Sequence, residues 1–310
     1  MTNKLVVIAG PTATGKSALA VAVAEALDGE VVSADSMLVY RGMNIGTAKP
    51  TPAERRGVPH HMIDLVEPDE EYSVAVYQKQ AREWVGRILA KGKTPILAGG
   101  TGLYLRAVID DYDFTAVASE PRLRAALLEE AARDGSAALH RKLAGFDQRA
   151  AARLHPNDAR RITRALEVYY LTGKPISDAW RLEEKKTLYD LVFLGLHLDR
   201  PELYQRIEKR VDAMLAAGLV EEVRGLRDRG YGAELTSMQG LGYKEILAYL
   251  AGTSTKDEAV TLLKRNTRRF AKRQLTWFRR DPRIKWLPAD GDPAGPGNLR
   301  EIIKQIAGDT

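Results

Sequence analysis

The chain has 310 residues, of which 45% are hydrophobic and 28% charged. These values predict a folded protein of one large or two smaller domains and exclude the disordered and fibrous classes. Cysteine is absent, which excludes disulfides, thiolate zinc sites and cysteine nucleophiles, and the net charge of +6 fits either an anionic partner or a lysine-rich surface.

Short β-rich runs alternate with helix-like segments in the first hundred residues. Residues 4–9 (KLVVIA) predict a strand, followed by a glycine loop and the helical composition of SALAVAVAEAL. Residues 30–34 and 94–100 predict two further strands, and residues 73–91 predict a helix between them. This alternation predicts an α/β fold with a parallel sheet. The run 4–9 is too short for a signal sequence or a membrane span, so we expect a cytoplasmic protein without a membrane partner.

The composition changes in the middle of the chain. Residues 113–188 are rich in Ala, Arg, Leu and Glu and contain no convincing strand, whereas residues 190–198 and 284–287 again predict strands. We therefore predict a discontinuous α/β core formed by residues 1–112 and 189–310, with a helical C-terminal part. Residues 113–188 are predicted to form an all-helical insertion.

A phosphate-binding loop follows the first predicted strand. The motif G-x-x-x-x-G-K-[ST] is complete in GPTATGKS and lies between a strand and a helix, as its mechanism requires. Glycines let the backbone curl so that N–H groups point inward, and the following helix adds the positive end of its dipole. The loop consists of Gly10, Pro11, Thr12, Ala13, Thr14, Gly15, Lys16 and Ser17.

The side chains at the end of this loop indicate its ligand. Lys16 supplies a positive charge to terminal phosphates, and the Ser17 hydroxyl suits a Mg²⁺ ion that bridges them. We therefore expect a Mg²⁺-bound diphosphate or triphosphate. The loop alone does not decide between phosphoryl transfer, hydrolysis and departure of a diphosphate as a leaving group.

Two further polar residues follow predicted strands at the same edge of the sheet, where open α/β sheets bind ligands. Asp35 is a candidate general base or magnesium ligand, and the cap of a turn is the alternative. Thr101, within GGTGLY, offers a hydroxyl among glycines, although a simple turn would explain the glycines equally well.

Several motifs together resemble the bacterial tRNA dimethylallyltransferase family. They are spread in family order over nearly the whole chain: GPTATGKS, DSMLVYRGMNIGTAKP, GGTGLY, HPNDARRITRALEV and AKRQLTWFRR. The resemblance implies a fold like that of P-loop NTPases with a helical insertion. It also implies transfer of a dimethylallyl group from dimethylallyl diphosphate to N6 of the adenine 3′ of the anticodon.

The resemblance further implies roles for individual residues. Asp35 matches the general base, Thr101 the threonine that helps to hold the adenine and the departing diphosphate, and Arg210 an arginine that grips the diphosphate with Lys16. The positions implied to touch the tRNA anticodon stem-loop are Asp35, Ser36, Met37, Leu38, Thr101, Arg124, Arg160, Arg161, Ile162, Thr163 and Arg164.

Two predicted helices carry clustered arginines. Residues 158–171 place Arg160, Arg161 and Arg164 away from an apolar stripe, which suits phosphate contacts or a solvated charged face. Residues 264–280 hold eight Lys or Arg, and Leu263, Phe270 and Trp277 recur every seven residues. We interpret these apolar side chains as core and the arginine face as a candidate phosphate-binding surface.

Modification of a base beside the anticodon requires that the base leave the stacked loop for a pocket. Gln239, in SMQGLGYK, could contact base edges, or the segment could simply connect helices. We expect a monomeric enzyme. A small-molecule P-loop kinase and a non-catalytic RNA-binding protein are the competing interpretations.

Overall fold

A computed structural model describes residues 3–111, 120–179 and 187–308 of the chain. Within these residues, one parallel sheet of six strands has the order β3-β2-β4-β1-β5-β6. The strands are β1 (Lys4–Ala9), β2 (Gly29–Ser33), β3 (His60–His61), β4 (Thr94–Gly99), β5 (Asp190–His197) and β6 (Lys285–Pro288).

Helices connect the strands, and one further helix follows the last strand. The helices of the first half are α1 (Lys16–Ala26), α2 (Pro52–Arg55), α3 (Val74–Ala90), α4 (Gly102–Ile109), α5 (Pro121–Asp134), α6 (Ser136–Phe146) and α7 (Gln148–Arg153). Those of the second half are α8 (Ala159–Thr172), α9 (Ile176–Ala179), α10 (Arg200–Ala216), α11 (Leu219–Asp228), α12 (Tyr243–Leu250), α13 (Lys256–Phe278) and α14 (Pro296–Ala307). Across the described ranges, no helix is long and apolar enough to cross a membrane.

The predicted α/β class and the parallel sheet are confirmed, and each predicted strand lies within one residue of its observed bounds. The strand β3 was not predicted, because two histidines carry no apolar alternation. It pairs with β2 through Val31 and Val32. Chain contacts divide the protein into a unit of residues 1–110 and 187–310 and a unit of residues 111–186. The sequence placed the corresponding breaks after residues 112 and 188.

The sheet of the larger unit is buried on both faces. Every residue of β1 after Lys4 is buried, as expected for a central parallel strand covered by helices. One face packs against α1, α10 and α14, and the other packs against α3 and α4. The carboxyl ends of β1, β2 and β4 are therefore held side by side by a rigid core.

The helix α13 buries a different stripe from the one predicted. Its buried residues are Ala259, Leu263, Thr267, Ala271, Gln274 and Phe278, which recur every three or four positions. The interpretation of Phe270 as a core residue was wrong, because its side chain is only partly buried and lines a cavity. Trp277 packs against the apolar cluster that contains Phe278, as the sequence indicated.

The close approach of β2 and β4 at their carboxyl ends depends on Gly99. A Cβ atom at this position would lie 2.1 Å from the carbonyl oxygen of Ala34. We expect Gly99→Ala to force these two strand ends apart and to cost at least about 2 kcal/mol, because overpacking of a tight core is destabilising. The measurement is the midpoint of thermal unfolding, which should fall by several degrees.

Gly86→Ala provides the matched control for this substitution. Gly86 lies inside α3, and no atom lies within 4 Å of a Cβ atom built there. Alanine should therefore stabilise the helix by about 0.5–1 kcal/mol. Equal unfolding midpoints for the two variants would contradict the steric account of Gly99.

Candidate functional site

The phosphate loop has the backbone conformation of an anion-binding nest. Gly10 and Gly15 have φ angles of 147° and 84°, and Ala13 between them has 67°. A Cβ atom at Gly10 would lie 2.7 Å from the carbonyl oxygen of Leu196 on β5, so glycine is required there. Helix α1 begins at Lys16 without a side-chain cap. Its first N–H groups are therefore available to an anion.

The ammonium group of Lys16 is held at the centre of this loop. Its Nζ atom donates a hydrogen bond of 2.6 Å to the carbonyl oxygen of Pro11. Burial within the cavity wall and, to a smaller extent, the positive charge of Arg210 lower the pKa of Lys16 to about 7, although the carboxylate of Asp35 opposes both effects. The three side chains are therefore close enough to interact electrostatically.

The predicted site residues of the larger unit surround one cavity of about 860 Å³. This volume is in the range of small-molecule sites. The predicted residues that line it are Thr12, Ala13, Gly15, Lys16, Ser17, Asp35, Ser36, Met37, Leu38, Thr101, Arg210 and Gln239. Of the remaining loop residues, Thr14 is fully buried, and its hydroxyl donates to the carbonyl oxygen of Pro11.

Asp35 lies on the loop that leaves β2. Its Oδ1 atom accepts a hydrogen bond of 2.9 Å from the backbone N–H of Met37, which fixes the carboxylate in a local turn. The structure records no hydrogen bond to Oδ2 from any residue that it describes. The carboxylate is thus oriented by one oxygen while the other can accept a proton.

Thr101 connects the loop after β4 to the loop after β2. Its Oγ1 atom accepts a hydrogen bond of 3.1 Å from the backbone N–H of Ser36 and approaches the Ser36 hydroxyl at 3.4 Å. The backbone N–H of Thr101 donates to the carbonyl oxygen of Ala34. Because Ala34 and Ser36 flank Asp35 in the chain, these two hydrogen bonds fix the position of Thr101 relative to Asp35.

Arg210 reaches the cavity from α10. Burial lowers the pKa of its guanidinium, and Asp35 and Glu54 partly offset that effect. No salt bridge or hydrogen bond joins Arg210 to another residue within the described ranges. With Lys16, it gives the cavity two positive charges that are available to an anionic ligand.

Other wall residues have defined positions but were assigned no role from the sequence. The segment after Met43 is held by Glu222, whose carboxylate accepts the backbone N–H groups of residues 44–46 and the hydroxyl of Tyr243. Tyr243, Phe270 and Gln274 also line the cavity. These contacts join residues far apart in the chain. Tyr243 and Gln274 lie in segments that the sequence analysis singled out, whereas nothing in the sequence pointed to Glu222.

The smaller unit contains the arginines that were predicted to contact tRNA. The carboxylate of Glu167, which is fully buried, accepts hydrogen bonds from Arg124 at 3.0 Å and from Arg164 at 2.7 Å. Hydrogen bonds from both arginines hold the pKa of Glu167 below its usual value although burial opposes this. Arg124 and Arg164 therefore have a structural role that the sequence did not indicate.

Two residues of α8, Ile162 and Thr163, have buried side chains. Ile162 is fully buried in the apolar cluster of this unit, and Thr163 is 1% exposed. Both side chains lie on the inner face of α8, so contact of this stretch with tRNA, which stays a prediction, would involve its exposed residues. Arg160 and Arg161 are exposed, and Arg161 forms an ion pair of 2.9 Å with Asp158.

Gln239 lies in a short 3₁₀ helix, Ser237–Gln239, beside the cavity. Its side-chain amide donates a hydrogen bond to the carbonyl oxygen of Ala233. Its carbonyl oxygen accepts no hydrogen bond from the residues that the structure includes. The segment is therefore ordered by its own contacts while Gln239 remains exposed.

Comparison with known proteins identifies the family. A family model described as IPP transferase matches residues 38–281, and a model described as isopentenyl transferase matches residues 3–68. The chain belongs to the IPP transferase family. The family and the prenyltransferase class predicted from the sequence are therefore confirmed, and the kinase and non-catalytic RNA-binding interpretations are not supported.

Relatives and solved structures agree with this assignment. A tRNA dimethylallyltransferase of Pelotomaculum thermopropionicum is 58% identical over 304 residues, which cover 98% of this chain and 96% of the relative. The crystal structure of a full-length tRNA isopentenylpyrophosphate transferase from Bacillus halodurans has 45% identity and a TM-score of 0.75, covering 99% and 96% of the two chains. A eukaryotic dimethylallyltransferase acting on tRNA has 31% identity and a TM-score of 0.86, covering 100% of this chain and 81% of the other.

The lowered pKa of Lys16 predicts a pH-dependent affinity for diphosphates. An anion favours the charged ammonium, so below about pH 7 the free site is already charged, and above it binding must take up a proton. We expect the dissociation constant of an alkyl diphosphate to rise by up to about tenfold per pH unit above pH 7. Isothermal titration calorimetry in buffers of different ionisation enthalpy measures both the affinity and the proton uptake.

Lys16→Met is the control for this measurement. The variant should bind the alkyl diphosphate more weakly and should lose most of the pH dependence between about pH 7 and 9, since the ligand itself ionises near pH 6. A wild-type affinity that does not change over this range would show that Lys16 stays charged in the free protein.

Proposed function

We propose that this protein transfers a dimethylallyl group from dimethylallyl diphosphate to N6 of the adenine 3′-adjacent to the anticodon of tRNA, position 37. The observation that carries the proposal is the meeting of an anion-binding loop and an oriented carboxylate in one cavity. The tRNA dimethylallyltransferases to which the chain is similar carry the transferred group and the acceptor in their name.

The chemistry requires a base beside a leaving-group site. A bond forms between N6 of the adenine and C1 of the dimethylallyl group while the bond between C1 and the diphosphate oxygen breaks, and its electron pair leaves with the diphosphate. The amine also loses a proton. Asp35 is suited to accept it, because Met37 orients one carboxylate oxygen and the other is available.

The departing diphosphate gains negative charge as this bond breaks. The N–H groups of the phosphate loop, Lys16 and Arg210 line the cavity and would stabilise that charge where it develops. Arg210 lies on α10 and Lys16 on α1, so the two charges approach the ligand from separate elements. Thr101 would hold the adenine and the diphosphate between these charges and Asp35.

The residues present also fit a Mg²⁺ ion. Ser17 lines the cavity, and Ser33 lines the same region with a buried hydroxyl for which the described residues provide no partner. Ser17 would hold the ion, which when bound neutralises diphosphate charge.

We infer that tRNA binds through its anticodon stem-loop. In the larger unit, Met37, Leu38 and Gln239 line the cavity and are placed to contact an unstacked base. In the smaller unit, Arg160 is exposed on α8 and can contact a phosphate. We further propose that the protein acts as a monomer in the cytoplasm.

The direct test is the formation of modified tRNA. The protein is incubated with Mg²⁺, dimethylallyl diphosphate and unmodified tRNA, and the digested RNA is examined by mass spectrometry for dimethylallyladenosine. We expect the wild type to form it. We expect Asp35→Asn, which preserves the hydrogen-bond acceptor for Met37, to lower kcat by about 10²–10⁴-fold while tRNA affinity stays within threefold.

Asp28→Asn is the matched control for that substitution. Asp28 is exposed, pairs with Lys93 at 2.8 Å and lies outside the cavity, so its variant should retain wild-type turnover. Wild-type turnover by Asp35→Asn would rule out Asp35 as the base. Absence of the product with the wild-type protein, together with ATP consumption on a small acceptor, would overturn the proposed function.

The basic face of α8 generates a prediction about tRNA affinity. Arg160→Ala should weaken tRNA binding and reduce the slope of log affinity against log salt concentration by about 1, because one phosphate contact is lost. Fluorescence anisotropy across a salt series measures both quantities. Arg133→Ala, which removes an exposed arginine paired with Asp134 in the same unit, is the control. Equal effects of the two variants would show that charge alone matters and that Arg160 makes no specific contact.

A further inference from the structure

The side chain of Gln274 joins two of the loops that form the cavity. Gln274 lies on α13, and its residue is only 7% exposed. Its Oε1 atom accepts a hydrogen bond of 2.9 Å from the backbone N–H of Thr12, in the phosphate loop. Its Nε2 atom donates a hydrogen bond of 2.9 Å to the carbonyl oxygen of Gly100, in the loop after β4.

These two hydrogen bonds extend a chain of contacts across the site. Gly100 precedes Thr101, whose hydroxyl accepts the backbone N–H of Ser36, and Ser36 follows Asp35. The phosphate loop is thus connected through Gln274 and Thr101 to the carboxylate. The connection joins the site for the diphosphate to the candidate base without passing through the sheet.

The glycine at position 100 leaves room for the side-chain amide of Gln274. A Cβ atom at Gly100 would lie 2.3 Å from Nε2 of Gln274, so glycine is needed for the amide to reach the backbone carbonyl. The Thr12 N–H that binds Gln274 is directed to the amide and is not available to phosphate. Part of the loop's backbone is therefore used to fix its position, while its other N–H groups remain for the ligand.

We propose that Gln274 is a positioning residue for prenyl transfer, which sets the separation between the diphosphate site and Asp35. This inference rests on the proposed function, because the separation matters only when the allylic carbon must lie in line between the leaving group and the adenine amine. A displacement of about 1 Å in such an arrangement can cost 10²-fold in rate. The amide reaches both loops at once, so its removal frees each loop to shift relative to the other.

The experiment replaces Gln274 by a side chain of similar length that cannot form hydrogen bonds. Gln274→Met should lower kcat for tRNA prenylation by about 10- to 100-fold and should change KM for dimethylallyl diphosphate by less than about threefold. The loss should fall on kcat because the loop's phosphate-binding groups remain, whereas the alignment of carbon and amine is disturbed.

Gln78→Met is the matched control. Gln78 is also 7% exposed, donates a hydrogen bond of 2.8 Å to the carbonyl oxygen of Ala107 and does not line the cavity. It should retain wild-type kcat, although its unfolding midpoint falls to a similar degree. Should Gln274→Met fail to fold, Gln274→Asn keeps the amide but is one methylene too short to reach both loops, and the same loss of kcat is expected.

A double-mutant cycle with Thr101→Val tests whether Gln274 acts through the loop after β4. The two residues belong to one chain of contacts, so the double variant should lose less in kcat than the product of the single losses. Wild-type kcat in both Gln274 variants, or equal losses in Gln274→Met and Gln78→Met, would overturn the inference. Failure of the wild-type protein to form the product would overturn the proposed function instead.

Discussion

The site depends on one constraint: the phosphate-loop nest and the carboxylate of Asp35 lie at the same edge of one parallel sheet. Parallel strands end together, so the loops after β1, β2 and β4 meet where their strands stop. Gly10 and Gly99 make this meeting possible, since a side chain at either would contact neighbouring backbone. The rest of the larger unit holds these three strand ends in register.

Electrostatics within the cavity follow from this arrangement. Lys16 and Arg210 stand close to each other and to Asp35, so the cations repel one another while the carboxylate partly stabilises them. A diphosphate relieves the repulsion, and its departure restores it. A bound diphosphate would therefore offset the repulsion between these two half-buried cations.

The phosphate loop and the position of Asp35 could be predicted from the sequence because both are local features. GPTATGKS contains its strand, loop and helix within one segment, and Asp35 directly follows an apolar strand. Glu222 and Gln274 escaped assignment because their partners lie about 180 and 170 residues away in the chain. No local pattern encodes such contacts.

The sequence did not reveal which residues are buried or paired in the folded chain. Ile162 and Thr163 were carried over with the neighbouring arginines, but α8 turns them inward. Arg124 and Arg164 resemble free surface charges in sequence, yet a buried Glu167 binds both. In α13, a seven-residue recurrence suggested core positions, whereas the observed stripe follows the helical period and leaves Phe270 at the cavity.

The central claim is that the phosphate loop holds a leaving group and does not transfer a phosphoryl group. The most direct measurement uses dimethylallyl diphosphate with ¹⁸O in the oxygen that bridges carbon and phosphorus. We expect turnover with tRNA to release diphosphate that retains the label, because the carbon–oxygen bond breaks. Recovery of the label in dimethylallyl alcohol, with the phosphoryl groups on another acceptor, would contradict it.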